Sequence, residues 1–161
     1  MMLLTPLTDV RIAELVSESK AIPEGLLSKR TMSERNGHLQ KSYEIHCDSG
    51  ERFVIKLRQS CVNTLNFSAI LGYRVPGMYT IFRLRRYNGK HQHTNVLEKQ
   101  SFYDFHIHVA TERYQRPGFH EDHFAQPTSR FYSLESAIQC LLNDCGFRSP
   151  IDNSPLFSGK I

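Results

Sequence analysis

Between Phe102 and Thr111 the chain alternates with period two: Tyr103, Phe105, Ile107 and Val109 fall on one parity, Asp104, His106 and His108 on the other. An extended backbone sends successive side chains to opposite faces, so this stretch reads as a strand with an apolar side and a polar, histidine-bearing side. The same period recurs in Tyr43-Glu44-Ile45-His46-Cys47 and in Phe53-Val54-Ile55-Lys56-Leu57-Arg58, flanking a turn at Asp48-Ser49-Gly50-Glu51. That pair is expected to form a hairpin whose packed face carries Phe53, Ile55 and Leu57 and whose wet face carries Lys56 and Arg58. A third strand is expected over 67–75 and, after a Pro76-Gly77 turn, a fourth over Tyr79 to Tyr87.

Two helices complete the pattern. Thr8 is placed to cap a helix running to about Lys20, with Asp9 at its positive end. Ser133 is placed to cap a second, whose Leu134, Ala137, Ile138, Leu141, Leu142 and Cys145 make an apolar stripe ended by Gly146. The expected architecture is therefore α+β, one antiparallel sheet of about five strands with an N-terminal and a C-terminal helix packed on one face. A single domain is expected over residues 1–161. Residues 21–38, with Pro23, Gly25, Gly37 and a mixed-charge run, are expected to be a mobile loop, and 148–161 a loosely held tail.

Six of the eight histidines lie between positions 91 and 123, and Arg83, Arg85, Arg86 and Lys90 fall within eight residues beside them. With a formal charge of +4, this local basicity favours an anionic partner, nucleic acid or acidic protein, over a membrane. The opening Met1-Met2-Leu3-Leu4-Thr5-Pro6 lacks a basic n-region, and no stretch approaches the roughly 20 apolar residues of a membrane span, so a cytoplasmic protein is expected. Cys47, Cys61, Cys140 and Cys145 show no C-x-x-C spacing and read as reduced thiols.

The two pairs His91-x-His93 and His106-x-His108 admit several chemistries. Histidines two apart on a strand share a face at roughly 6.5 to 7 Å between Cα atoms, close enough to grip one phosphate or one metal. Four imidazoles suit zinc or another transition metal, although H-E-x-x-H spacing is missing and neighbouring arginines oppose a dication. Metal-free cleavage of RNA is the leading alternative: one group removes the 2′-OH proton, another protonates the leaving 5′ oxygen, and arginine stabilises the phosphorane. In that reading His106 and His108 act with His91 or His93, Glu112 or Asp104 orients or serves as base, and Arg85 or Arg86 holds phosphate. Tyr87 stacks or relays a proton, and Arg83, Asn88, Lys90, Asn95 and Arg113 complete the substrate contacts. Each also has a structural reading: Tyr87-Asn88-Gly89 as a strand end and turn, Asn95 as a backbone cap, Arg113-Tyr114 as an ion pair and core anchor, and His38, His46, His120 and His123 as surface or packing residues.

From the fourth strand onward the order of motifs resembles the TumE type of toxin from bacterial type II toxin-antitoxin modules. The residues that carry it are Arg86-Tyr87-Asn88-Gly89, His91-Gln92-His93, Phe105-His106-Ile107-His108 and Ser133-Leu134-Glu135, covering positions 79 to 145 in outline. Gly89, the Ala110 to Tyr114 segment and the stretch from Pro117 to Thr128 depart from the family pattern. The chain is also similar to uncharacterised bacterial proteins with Y-N-G-x-H and H-I-H-x-A-T-E-R-Y. The toxin resemblance implies a cytoplasmic growth inhibitor, an endoribonuclease acting on RNA and held inactive by an antitoxin encoded beside it; the metal-free reading of the residues expects no metal and no cofactor. Two readings stand beside it: a non-enzymatic interaction protein of antitoxin-like, defence or anti-defence type, and a metal-dependent hydrolase using the H-x-H pairs.

Overall fold

A computed structural model describes residues 5–28 and 31–149. In chain order the elements are α1 (Asp9–Ser17), β1 (Lys20–Ala21), β2 (Ser33–Arg35), β3 (His38–His46), β4 (Arg52–Ser60), β5 (Phe67–Arg74), β6 (Ile81–Asn95), β7 (Gln100–Val109), α2 (Glu112–Gln115), β8 (Ala125–Pro127), α3 (Leu134–Asp144) and β9 (Phe147–Arg148). Thr8 caps α1 by accepting from the Arg11 amide at 3.1 Å, and Ser133 caps α3 in a reciprocal arrangement with Ser136.

The expectation of about five strands and two helices is corrected. The main sheet has seven antiparallel strands in the order β2-β3-β4-β5-β6-β7-β8, β1 and β9 pair in parallel apart from it, and there are three helices among the described residues. The added strands are two or three residues long, too short to display a period. β2 lies inside the expected loop 21–38, turning into β3 through Asn36 and Gly37 at positive φ. β8 pairs with β7 opposite His106 and His108. Of the expected tail, 150–161 lies outside the described residues.

One face of the sheet and the apolar stripes of α1 and α3 make the core: Phe53, Ile55 and Leu57 from β4, Phe67, Ala69 and Leu71 from β5, and Tyr87 from β6, against Leu15, Leu134, Ile138 and Leu141. The opposite face carries Lys56, Arg58, Ser68 and Ile70. Over β6 and β7 it is covered by the segment from α2 to β8, anchored by the buried Tyr114, which stacks on His123 at 5.3 Å.

The sequence places the end of the fourth strand at Tyr87, with a turn at Asn88-Gly89, yet β6 is 15 residues long and runs on to Asn95. Two one-residue bulges make this possible. Opposite β5, Gly72 pairs with Arg83 and Leu71 with Arg85, leaving Leu84 extra. Opposite β7, Asn88 pairs with His106 and His91 with Asp104, so Gly89 and Lys90 together oppose Phe105. Each bulge inverts the parity of the residues beyond it. At the second, the Leu65 carbonyl accepts from the Lys90 amide at 3.1 Å and would lie 1.8 Å from a Cβ on residue 89. Only glycine fits beneath that carbonyl.

Candidate active site

The bulges decide which groups meet. Without the one at Gly89-Lys90, His91 and His93 would share the core face with Tyr87; with it they stand on the face of Arg86, His106 and His108. Without the one at Leu84, Arg83 and Arg86 would lie on opposite faces; with it they are co-facial.

The result is a cluster of five imidazoles. Ring centroids lie 4.6 Å apart for His91 and His106, 4.8 Å for His93 and His108, 4.9 Å for His106 and His108, 5.2 Å for His93 and His123, and 5.6 Å for His93 and His106. His106 and His108 form its floor, 0% and 2% exposed; His91, His93 and His123 are half-buried above them. The floor pair does not face solvent, contrary to the expected wet histidine face of the strand.

Hydrogen bonds fix the tautomers. His106 Nδ1 lies 2.7 Å from the Asp104 carbonyl and His108 Nδ1 2.8 Å from the Asp122 carbonyl; a carbonyl can only accept, so both Nδ1 atoms carry protons and both Nε2 atoms present lone pairs. The Nε2 of His106 is buried and has no hydrogen-bond partner among the described residues. Asn95, fully buried, accepts from the Ala125 amide and donates to its carbonyl, so its Oδ1 is the acceptor that His93 Nε2–H meets at 2.9 Å. In its neutral form His93 therefore carries its lone pair on Nδ1.

Burial and neighbouring charge disfavour protonation of four of these histidines. Desolvation, with Arg86 and the neighbouring imidazoles adding to it, pulls His106 down to about 4 and His108 to about 2. Burial, followed by Arg86 and His93, also lowers His91; burial lowers His93 against the opposing hydrogen bond from Asn95. Arg86 Nε donates to Asp122 Oδ2 at 3.0 Å, and Arg83 Nη2 lies 3.4 Å from Asp122 Oδ1 and 3.2 Å from His120 Nδ1. The buried Asp122 thus ties both guanidinium groups to the mouth of a cleft of about 320 Å³ that His91, His93, His108, His120 and His123 also line.

Several residues expected at this site lie elsewhere. Arg85 sits on the core face near Asp144, Cys145 and Tyr87. Tyr87 is fully buried and donates to Asp144 Oδ2 at 2.6 Å, so it is a core residue and not a stacking platform. Asn88 is buried and accepts from Ser68 at 2.8 Å, Glu112 pairs with Arg116, and Arg113 pairs with Glu98 while lying over the rings of Tyr114 and Phe124. Lys90 is exposed within the bulge. His120 and His123, assigned to the surface or to packing from sequence, complete the cleft together with Asp122; their place in the histidine-dense stretch was the only signal.

Among the described residues no group of three or more His, Cys, Asp or Glu is disposed to hold a metal ion, and no helix is long and apolar enough to cross a membrane. No family model, no curated protein and no solved structure matches the chain.

Proposed function

We propose that this protein is a toxin-like, RNA-acting endoribonuclease that cleaves without a metal. The observation that carries it is the convergence of His91 and His93 beside Arg83 and Arg86 on an accessible cleft, above a floor of neutral histidines. His93 Nδ1, unprotonated and oriented by Asn95, takes the 2′-OH proton as the 2′-oxygen attacks phosphorus. Arg83 and Arg86 stabilise the charge that accumulates on the phosphorane oxygens. His91, in its protonated form, delivers a proton to the 5′ oxygen as that P–O bond breaks. His106 and His108 act through their neighbours, filling the floor and adding no positive charge of their own. A cytoplasmic location and an antitoxin encoded nearby belong to the same proposal, on the motif resemblance.

The test is purified protein with total RNA in excess chelator. Cleavage is expected, falling about 10²- to 10⁴-fold in His93→Ala. Its rate should peak below pH 6.5, because one lowered imidazole must be protonated while the other is free. No cleavage, together with undiminished growth inhibition by His91→Ala/His93→Ala, would sink the enzyme reading.

A second reading, a non-enzymatic interaction protein, is favoured by one observation: Asp122 already pairs both cleft arginines, as in a cluster built for packing. Capture of a protein partner by a nuclease-inactive wild type would support it.

A further inference from the structure

The histidine cleft does not stand alone on its face of the sheet. A hollow of about 900 Å³, with Lys56, Arg74, Tyr79 and Phe119 in its lining, shares Arg83, His120 and His123 with it. A second hollow of about 610 Å³, with Arg58 and Arg86 in its wall, shares Lys56 and Ile70 with the first and Arg86 with the cleft. Through these shared residues the three adjoin as a trough-like series across β4, β5 and β6, bordered on one side by the segment between α2 and β8.

Its chemistry is that of a single-strand track. Lys56 and Arg58 project from alternate positions of β4, and neither is in an ion pair among the described residues. Arg74, paired with Glu44, and Arg83, close to Glu121 and Asp122, contribute less net charge. Tyr79 is 98% exposed and Phe119 37%, and both border the same hollow. An aromatic ring this exposed gains nothing from the core, whereas an unstacked base offers it a π-face while cations follow the backbone phosphates.

We propose that single-stranded RNA lies along this trough, its phosphates on Lys56 and Arg58 and its bases against Tyr79 and Phe119, and that the trough leads the strand to His91 and His93. The proposal deepens the endoribonuclease reading and rests on it for the choice of RNA. A duplex, with its bases stacked inward, offers nothing to Tyr79 and is too broad to reach half-buried imidazoles.

The probe is a fluorescein-labelled 12-nucleotide 2′-O-methyl RNA, which lacks the attacking hydroxyl, titrated by anisotropy as a single strand and as a duplex. The single strand is expected to bind at least tenfold more tightly. Tyr79→Ala should weaken it about tenfold, and Lys56→Ala/Arg58→Ala should lower the slope of log affinity against log salt by about 1.4. Tighter duplex binding, or either variant binding as the wild type does, would overturn the proposal. Cleavage that ignores these substitutions would sink the track and spare the enzyme; track-dependent binding without cleavage in chelator would do the reverse.

Discussion

His106 and His108 show what burial does to a titratable side chain. Each has its Nδ1 proton donated to a backbone carbonyl and each is held neutral, at about 4 and about 2 against an ordinary 6.5. An unfolded chain takes up protons on these groups as pH falls below 6.5 while the folded chain does not, so stability is full above that value and is lost below it. One pH unit of differential titration is worth about 1.4 kcal/mol, so between pH 6.5 and 5 each histidine should cost about 2 kcal/mol. We expect chemical denaturation of the wild type to show that loss and His108→Gln to show a smaller pH dependence. A stability independent of pH across this window would mean that the floor of the cluster is open to water.

Among the elements, β6 decides the site. A 15-residue strand with an odd-numbered H-x-H pair and an even-numbered arginine cannot present both on one face unless a residue is inserted between them, which the bulge at Gly89-Lys90 does. Gly89→Ala would drive a methyl into the Leu65 carbonyl. The β4–β5 loop must then retreat or the bulge must slide, and we expect a loss of about 2–4 kcal/mol in unfolding free energy. If the proposed endoribonuclease activity holds, RNA cleavage should fall further than stability explains, because a slid register turns His91 and His93 toward the core. Unchanged stability in this variant would show that the close approach is not a constraint. The glycine itself was legible in the sequence, but Tyr87-Asn88-Gly89 carries the same local signal for a turn as for a bulge, and only the partner strands separate the two.

Across the molecule, the two ends of the described chain are joined by Lys20. Its ammonium, fully buried and lying over the Phe53 ring at 4.5 Å, meets the carbonyls of Leu15, Val16 and Glu18 at 2.9 Å and that of Cys145 at 2.8 Å. It thereby satisfies the open C-terminal end of α1 and ties it to the end of α3, beside the parallel pairing of β1 with β9. Lys20→Met keeps the apolar stem and removes every donor; a loss of about 2–4 kcal/mol in urea unfolding is expected. A melt indistinguishable from the wild type would show that water replaces the ammonium without cost. The same closure keeps the helices on one face and leaves the other free to form the trough.

Local pattern alone determined much of this protein. Period-two alternation placed the faces of β4, with Lys56 and Arg58 opposite Phe53, Ile55 and Leu57, and put His106 and His108 on one side of β7 without revealing that this side is buried, while cap chemistry at Thr8 and Ser133 placed the starts of α1 and α3. These depend on residues within one or two turns of each other, which is the range over which sequence speaks directly. Tertiary structure decided the rest: that Arg83 joins Arg86 while Arg85 turns to the core, that His106 and His108 lie beneath His91 and His93, and that His123 and Asp122 close the cleft from a segment about 30 residues away. The physical reason is parity. A bulge changes the facing of every residue beyond it, and its presence is set by pairing with strands distant in sequence, which no local period records.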